Sequence, residues 1–238
     1  MTTTVRTTSP PGVPRRRPST HTAKVVMAAT GLVLGAFVLV HLVGNLKVWS
    51  GAASLDEYAR WLRTVGEPLV PHEGVLWALR LVLSVCLVAH LWCAAVLWRR
   101  GRVARGGHRA PFRWRSFGAR TMPVTGIAVL AFVVFHVLDL TTGHAAAEGF
   151  RETTTTEAHA YANLVASFER PAAALAYVVA MLVLALHLAH GVWMAAHDLG
   201  VTGTRTRTAL KVTAGVLAIL VLVGNASIPV AVQLGVLA

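Results

Sequence analysis

Five stretches of the chain are apolar for long enough to cross a lipid bilayer as helix, which takes about 20 residues. They run from Lys24 to Leu46, Gly74 to Trp98, Thr121 to Thr142, Pro171 to His197 and Ala209 to Leu237. No other feature constrains the fold as much, because a spanning segment must satisfy its backbone internally and these are far too long for strands. The expected class is therefore all-α, a bundle of five transmembrane helices. Composition agrees. Charged residues make up 13% of the 238, where a soluble domain carries about 25%, and the mean hydropathy is +0.60. An ordinary soluble enzyme and a disordered chain are both excluded.

The net charge of +12 could suggest nucleic acid, but the charges are not spread as a binding face. Of the 22 lysines and arginines, 16 fall in the N-terminal tail with Lys24 at its end, the connection from Arg99 to Arg120 and the turn from Arg205 to Lys211. These are alternate connections and so share one side of a membrane. Positive charge on short loops marks the cytoplasmic side, which predicts a cytoplasmic N-terminus and an external C-terminus. The same surplus offers contact with anionic lipid or an acidic partner, and no nucleic acid is expected. Residues 1–23 read as a disordered basic tail rich in Thr, Pro and Arg, and residues 24–238 as one membrane domain. Leu55, Tyr58, Trp61, Leu62 and Val65 recur at helical spacing between the first two spans, predicting a short helix at the membrane interface. The two cysteines, Cys86 and Cys93, are about 10 Å apart along a helix and cannot form a disulfide.

Eleven histidines is the unusual count. A histidine within hydrocarbon needs a partner, so each one inside a span is a functional candidate. His41 and His136 lie a turn or more short of the outer ends of spans one and three. His90 and His187 lie in the inner halves of spans two and four. Two pairs at two depths on four helices are what two b-type haems with bis-histidine ligation require, about 15 Å apart by helix rise. His190 shares the face of His187 and could replace it as ligand, or hold a propionate or a water. Arg80, in the outer half of span two, needs a counter-charge, which a haem propionate, Glu73 or Asp139 could supply. Asp139 follows His136 by one turn and could orient that ring. Gly31, Gly35, Ala36 and Gly44 leave room for close helix approach or a flat macrocycle, and Asn225, Ser227 and Pro229 read as a kink in span five.

These residues also resemble a known family. His41-Leu-Val-Gly44-Asn45-Leu46 is similar to the HxxGNL signature of the single-chain, b558-type cytochrome b subunit of succinate dehydrogenase. Tyr58-Ala59, Gly66-Glu67-Pro68, Leu76-Trp77-Ala78-Leu79-Arg80 and His90 resemble its continuation. Phe135-His136-Val137-Leu138-Asp139 and His187-Leu188-Ala189-His190-Gly191-Val192-Trp193 with Leu199-Gly200 resemble its third and fourth spans. The resemblance runs from about Lys24 onward and departs at Met194 and His197, where Ser and Gln are common.

The resemblance implies a dihaem membrane anchor of a succinate:quinone oxidoreductase or its fumarate reductase relative, in a bacterial cytoplasmic membrane. It implies haem ligation by His41 with His136 and by His90 with His187, with His187 preferred to His190 by its distance from Leu199-Gly200. A flavoprotein and an iron–sulfur subunit would bind on the cytoplasmic side, and electrons would pass to a quinone, with menaquinone the expected one. Glu67, His72, Glu73 and Arg80 are quinone-site candidates near the outer pair, and His190, His197 and Arg120 near the inner pair. The chain itself would carry no succinate site. The rival expectations are an anchor of another respiratory dehydrogenase or reductase, and a haem-free structural anchor or transporter whose histidines line a polar path.

Overall fold

A computed structural model describes residues 18–106, 117–154, 157–201 and 203–238. The tail expected to be disordered falls largely in 1–17, outside the described residues, as do Arg109, Arg113 and Arg115 between the second and third spans. The described chain is predominantly helical, with no strands among these residues. Five helices are long and apolar enough to cross a membrane.

The first, α1 (Thr20–Asn45), starts four residues before the expected span. Ser19 caps it, its hydroxyl accepting the Thr22 amide hydrogen at 3.0 Å. That bond satisfies one of the free N–H groups of the first turn. A tight turn at Leu46–Ser50 follows α1, and then α2 (Ala52–Thr64). This is the amphipathic helix anticipated from the sequence. Leu55 is buried and Trp61 exposed, as expected of a helix lying at an interface. Gly44 lets it dock, because a Cβ there would stand 2.6 Å from the Tyr58 ring.

Next come α3 (Gly74–Arg105) and α4 (Phe117–His136), the latter prolonged by one wide π-helical turn at Val137–Thr141. A short helix, α5 (Ala160–Phe168), occupies the connection between the third and fourth spans. Its Val165 and Phe168 are buried with Val48, Leu55, Tyr177, Ile228 and Val232 in one apolar cluster. The connection is therefore part of the core. Pro171 opens α6 (Pro171–Asp198) at its first turn, where a missing N–H costs nothing. The last helix, α7 (Thr204–Gln233), starts and ends earlier than the expected span and continues through Pro229. Asn225 is not simply part of a break, since its side-chain oxygen accepts the Asn45 amide at 2.8 Å and ties α7 to α1.

Helix α6 is central, packing along α7 and against α1 and α4, while α3 packs on α1. Among the described residues α3 and α4 do not pack closely, nor do α1 and α4, nor α3 and α6. Helices α3, α1, α6 and α4 thus trace three sides of a square. Its diagonals join α1 to α4 and α3 to α6. The end of the bundle holding the starts of α1, α4 and α7 is called the basic end below, and the opposite end the far end.

Candidate functional site: two histidine pairs across the bundle

Both histidine pairs fall on the diagonals. At the far-end level the His41 and His136 rings lie 5.8 Å apart, centre to centre, and nearly perpendicular at 76°. Helices α1 and α4 reach each other here through imidazole rather than backbone packing. At the other level, His90 of α3 and His187 of α6 stand on helices that do not pack closely on each other, with His190 one turn beyond His187. Glycine admits each of these lower rings to a neighbouring helix. A Cβ on Gly31 of α1 would stand 3.0 Å from His90 Cε1, and one on Gly126 of α4 would stand 3.5 Å from His187 Cε1.

A register repeats through the bundle. Gly31 and His41 are ten residues apart on α1, Gly126 and His136 on α4, and Tyr177 and His187 on α6. At 1.5 Å per residue each interval is about 15 Å, so three helices independently give the same separation between levels.

The hydrogen bonds fix which ring nitrogen carries the proton in three of the four histidines. His90 Nδ1 lies 3.1 Å from the Met27 carbonyl oxygen, which can only accept. His187 Nδ1 lies 3.2 Å from Thr125 Oγ1. The Thr125 hydroxyl already donates toward the carbonyls of Thr121 and Met122, at 3.1 and 3.2 Å, so it accepts from His187. His136 Nδ1 lies 3.3 Å from the Tyr177 oxygen, and the single phenolic hydrogen goes to Asp139 Oδ2 at 3.0 Å. In each case Nδ1 is the donor, and the Nε2 lone pair is left for a ligand. Metal-bound imidazole takes this arrangement almost without exception. His41 is positioned by ring contacts, stacking on Phe37 at 5.4 Å.

Behind His136 stands a buried polar group that sequence reasoning only half anticipated. Asp139, in the π-helical turn, is fully buried. It accepts from Ser167 Oγ at 2.5 Å, from Tyr177 and from the Arg170 guanidinium. Asp139 therefore orients His136 through Tyr177 and closes this end of the bundle through Arg170, which also donates to the Ala145 carbonyl at 3.0 Å. A lone acid inside a span signals a needed cation, but Arg170 stands in a connection 31 residues away and carried no mark of its own. Tyr177, Ser167 and Thr125 were likewise missed. The available signal for Tyr177 was its ten-residue offset from His187.

The remaining candidates divide between the two ends. Near the far end, Glu67 Oε1 and His72 Nδ1 are 2.8 Å apart on the surface. Glu73 Oε1 is 2.9 Å from Arg63 Nε, and its Oε2 is 3.9 Å from Arg80 Nη1. Arg80 also lies over the Trp77 ring at 4.7 Å. Of its anticipated counter-charges it meets Glu73 loosely, while Asp139 is engaged by Arg170. At the basic end His190 is half-buried and His197 exposed, with neighbouring Asp198 paired to Lys24 at 3.1 Å. The structure thus groups Glu67 and His72, and Glu73 with Arg80, and leaves His197 at the opposite end. Cys86 and Cys93 are both free thiols.

The donor set suits a macrocycle better than a bare ion. Among the described residues no three His, Cys, Asp or Glu side chains converge as a cluster of metal ligands. Two imidazoles on opposite sides of one iron, with metal–nitrogen bonds of about 2 Å, have ring centres about 6 Å apart, close to the 5.8 Å of His41 and His136. No protein-family model, curated protein or solved structure matches this chain.

Proposed function

We propose that the chain is the haem b-bearing membrane anchor of a succinate:quinone oxidoreductase, passing electrons from an iron–sulfur subunit to a quinone, with menaquinone the preferred acceptor. The observation that carries the cofactor reading is the ten-residue register: paired imidazoles at two levels, on helices that do not pack on each other, with Nε2 left bare where the partner of Nδ1 is defined. The succinate-specific part rests on the sequence resemblance in the first and fourth spans.

His41 and His136 would hold one haem, and His90 and His187 the other, each through Nε2. A haem b at each level supplies reversible one-electron chemistry, and bis-histidine ligation leaves no open position for oxygen. The chain's own residues do the rest. Met27, Thr125 and Tyr177 keep their histidines in the ligating tautomer. Gly31 and Gly126 admit the lower rings, and Arg80, only loosely paired, is free to meet a propionate. Charge bias makes the basic end cytoplasmic, where it would meet acidic partner subunits. His72 at the far end would supply an N–H donor to a quinone carbonyl, with Glu67 and Glu73 the nearby carboxyl groups that could pass on protons, and His197 is the corresponding candidate at the basic end.

The test is affinity purification of the tagged chain from native membranes under mild detergent. Co-purification of a flavoprotein and an iron–sulfur protein, with succinate reducing the haem, supports the assignment. Recovery with subunits of a different dehydrogenase, or haem that succinate cannot reduce, contradicts it.

A further inference from the structure

Resting on the haem reading above, we infer that Tyr177 is a positioning residue that lowers the reduction potential of the far-end haem by coupling His136 to the buried Asp139–Arg170 pair. The geometry is directional. His136 Nδ1 donates to the Tyr177 oxygen at 3.3 Å, Tyr177 donates to Asp139 Oδ2 at 3.0 Å, and Arg170 and Ser167 hold the carboxylate. A hydrogen bond accepted from the distal N–H of a ligating imidazole makes the ring a better donor to the metal. That stabilises the ferric state and lowers the potential.

The other level lacks an anion behind its ligands. His90 donates to a neutral carbonyl and His187 to a neutral hydroxyl. The two sites are thus built with unequal backing for their ligands. Tyr177 is held for this role from all sides, its ring lying 4.8 to 5.9 Å from those of Phe168, Phe132, Phe135 and His136. A phenylalanine at 177 would keep those contacts and remove only the oxygen.

The experiment uses the intact complex, with haem content measured first, followed by redox titration monitored by optical and EPR spectra. The His41→Ala variant assigns which signal belongs to the far end. Tyr177→Phe should raise the far-end midpoint and alter that haem's EPR g-values, leaving the other haem unchanged. Thr125→Val should do the reverse. Unchanged signals in Tyr177→Phe overturn the inference, as does an equal change at both haems, which a merely structural role would give. Should Tyr177→Phe not accumulate, Asp139→Asn carries the test, with a far-end shift in the same direction expected and no selective shift counting against it. A wild-type complex without haem overturns the parent reading as well, and is distinguished by the haem content alone.

Discussion

Gly31 and Gly126 occupy equivalent places, each facing a histidine of the lower pair, yet replacing them with alanine should have opposite consequences. At Gly31 the new Cβ would stand 3.0 Å from His90 Cε1 and 3.3 Å from Nδ1. Relaxed carbon contacts are about 3.5–4.0 Å, so the ring must withdraw from α1 by roughly 0.5–1 Å. The acceptor for His90 Nδ1 is also on α1, at 3.1 Å, and withdrawal carries that bond past the roughly 3.2 Å limit of a good hydrogen bond. An unpaired donor in this half-buried position costs about 1–2 kcal/mol. Alanine in a helix returns up to about 1 kcal/mol relative to glycine. The net loss in Gly31→Ala is therefore about 0–2 kcal/mol, a change of at most several degrees in Tm for a chain of this size, while His90 loses its position and tautomer.

At Gly126 the corresponding contact is 3.5 Å, an ordinary van der Waals distance, so only the helical gain of up to about 1 kcal/mol remains. Thermal unfolding in detergent, with haem content and EPR spectra, reads both effects. Gly31→Ala should weaken or lose only the haem held by His90 and His187, and Gly126→Ala should keep both and unfold slightly higher. Equal behaviour of the two variants, or loss of the haem held by His41 and His136 in Gly31→Ala, would refute the reasoning.

Two further outcomes follow from the same geometry. His41→Ala should remove the far-end haem while sparing the other, since the levels are about 15 Å apart and share no ligand; haem quantitation giving both lost, or neither, would break the pairing. Asp139→Ala should destabilise the fold by about 3 kcal/mol, the lower part of the range for breaking a buried ion pair, because Arg170 retains solvent exposure. Thermal unfolding that matches the wild type would mean the Asp139 network is not structural.

The number of spans and the depth pairing were legible in the sequence because each rests on a property carried by the residue itself. Apolar runs give the spans, and a polar ring in such a run is conspicuous, as His41, His90, His136 and His187 are. Helix ends were less legible. Residues Thr204–Thr208 are polar and fell outside the apolar window, yet they form the first turns of α7. The burial of α5 was not legible locally, because its Val165 and Phe168 face a core assembled from distant segments. The network behind His136 was least legible. Asp139 stood out as an acid in a span, but Ser167, Arg170 and Tyr177 acquire meaning only when the π-helical turn and the start of α6 meet. Such long-range contacts leave no local periodicity to read.

The central claim is that the two imidazole pairs hold two haems. Pyridine haemochrome quantitation with a reduced-minus-oxidised spectrum, on the detergent-solubilised complex, tests it most directly. The account predicts two haems b per chain. One haem would mean that a pair does not ligate, and none would contradict the account and leave the histidines as polar contacts within a structural bundle.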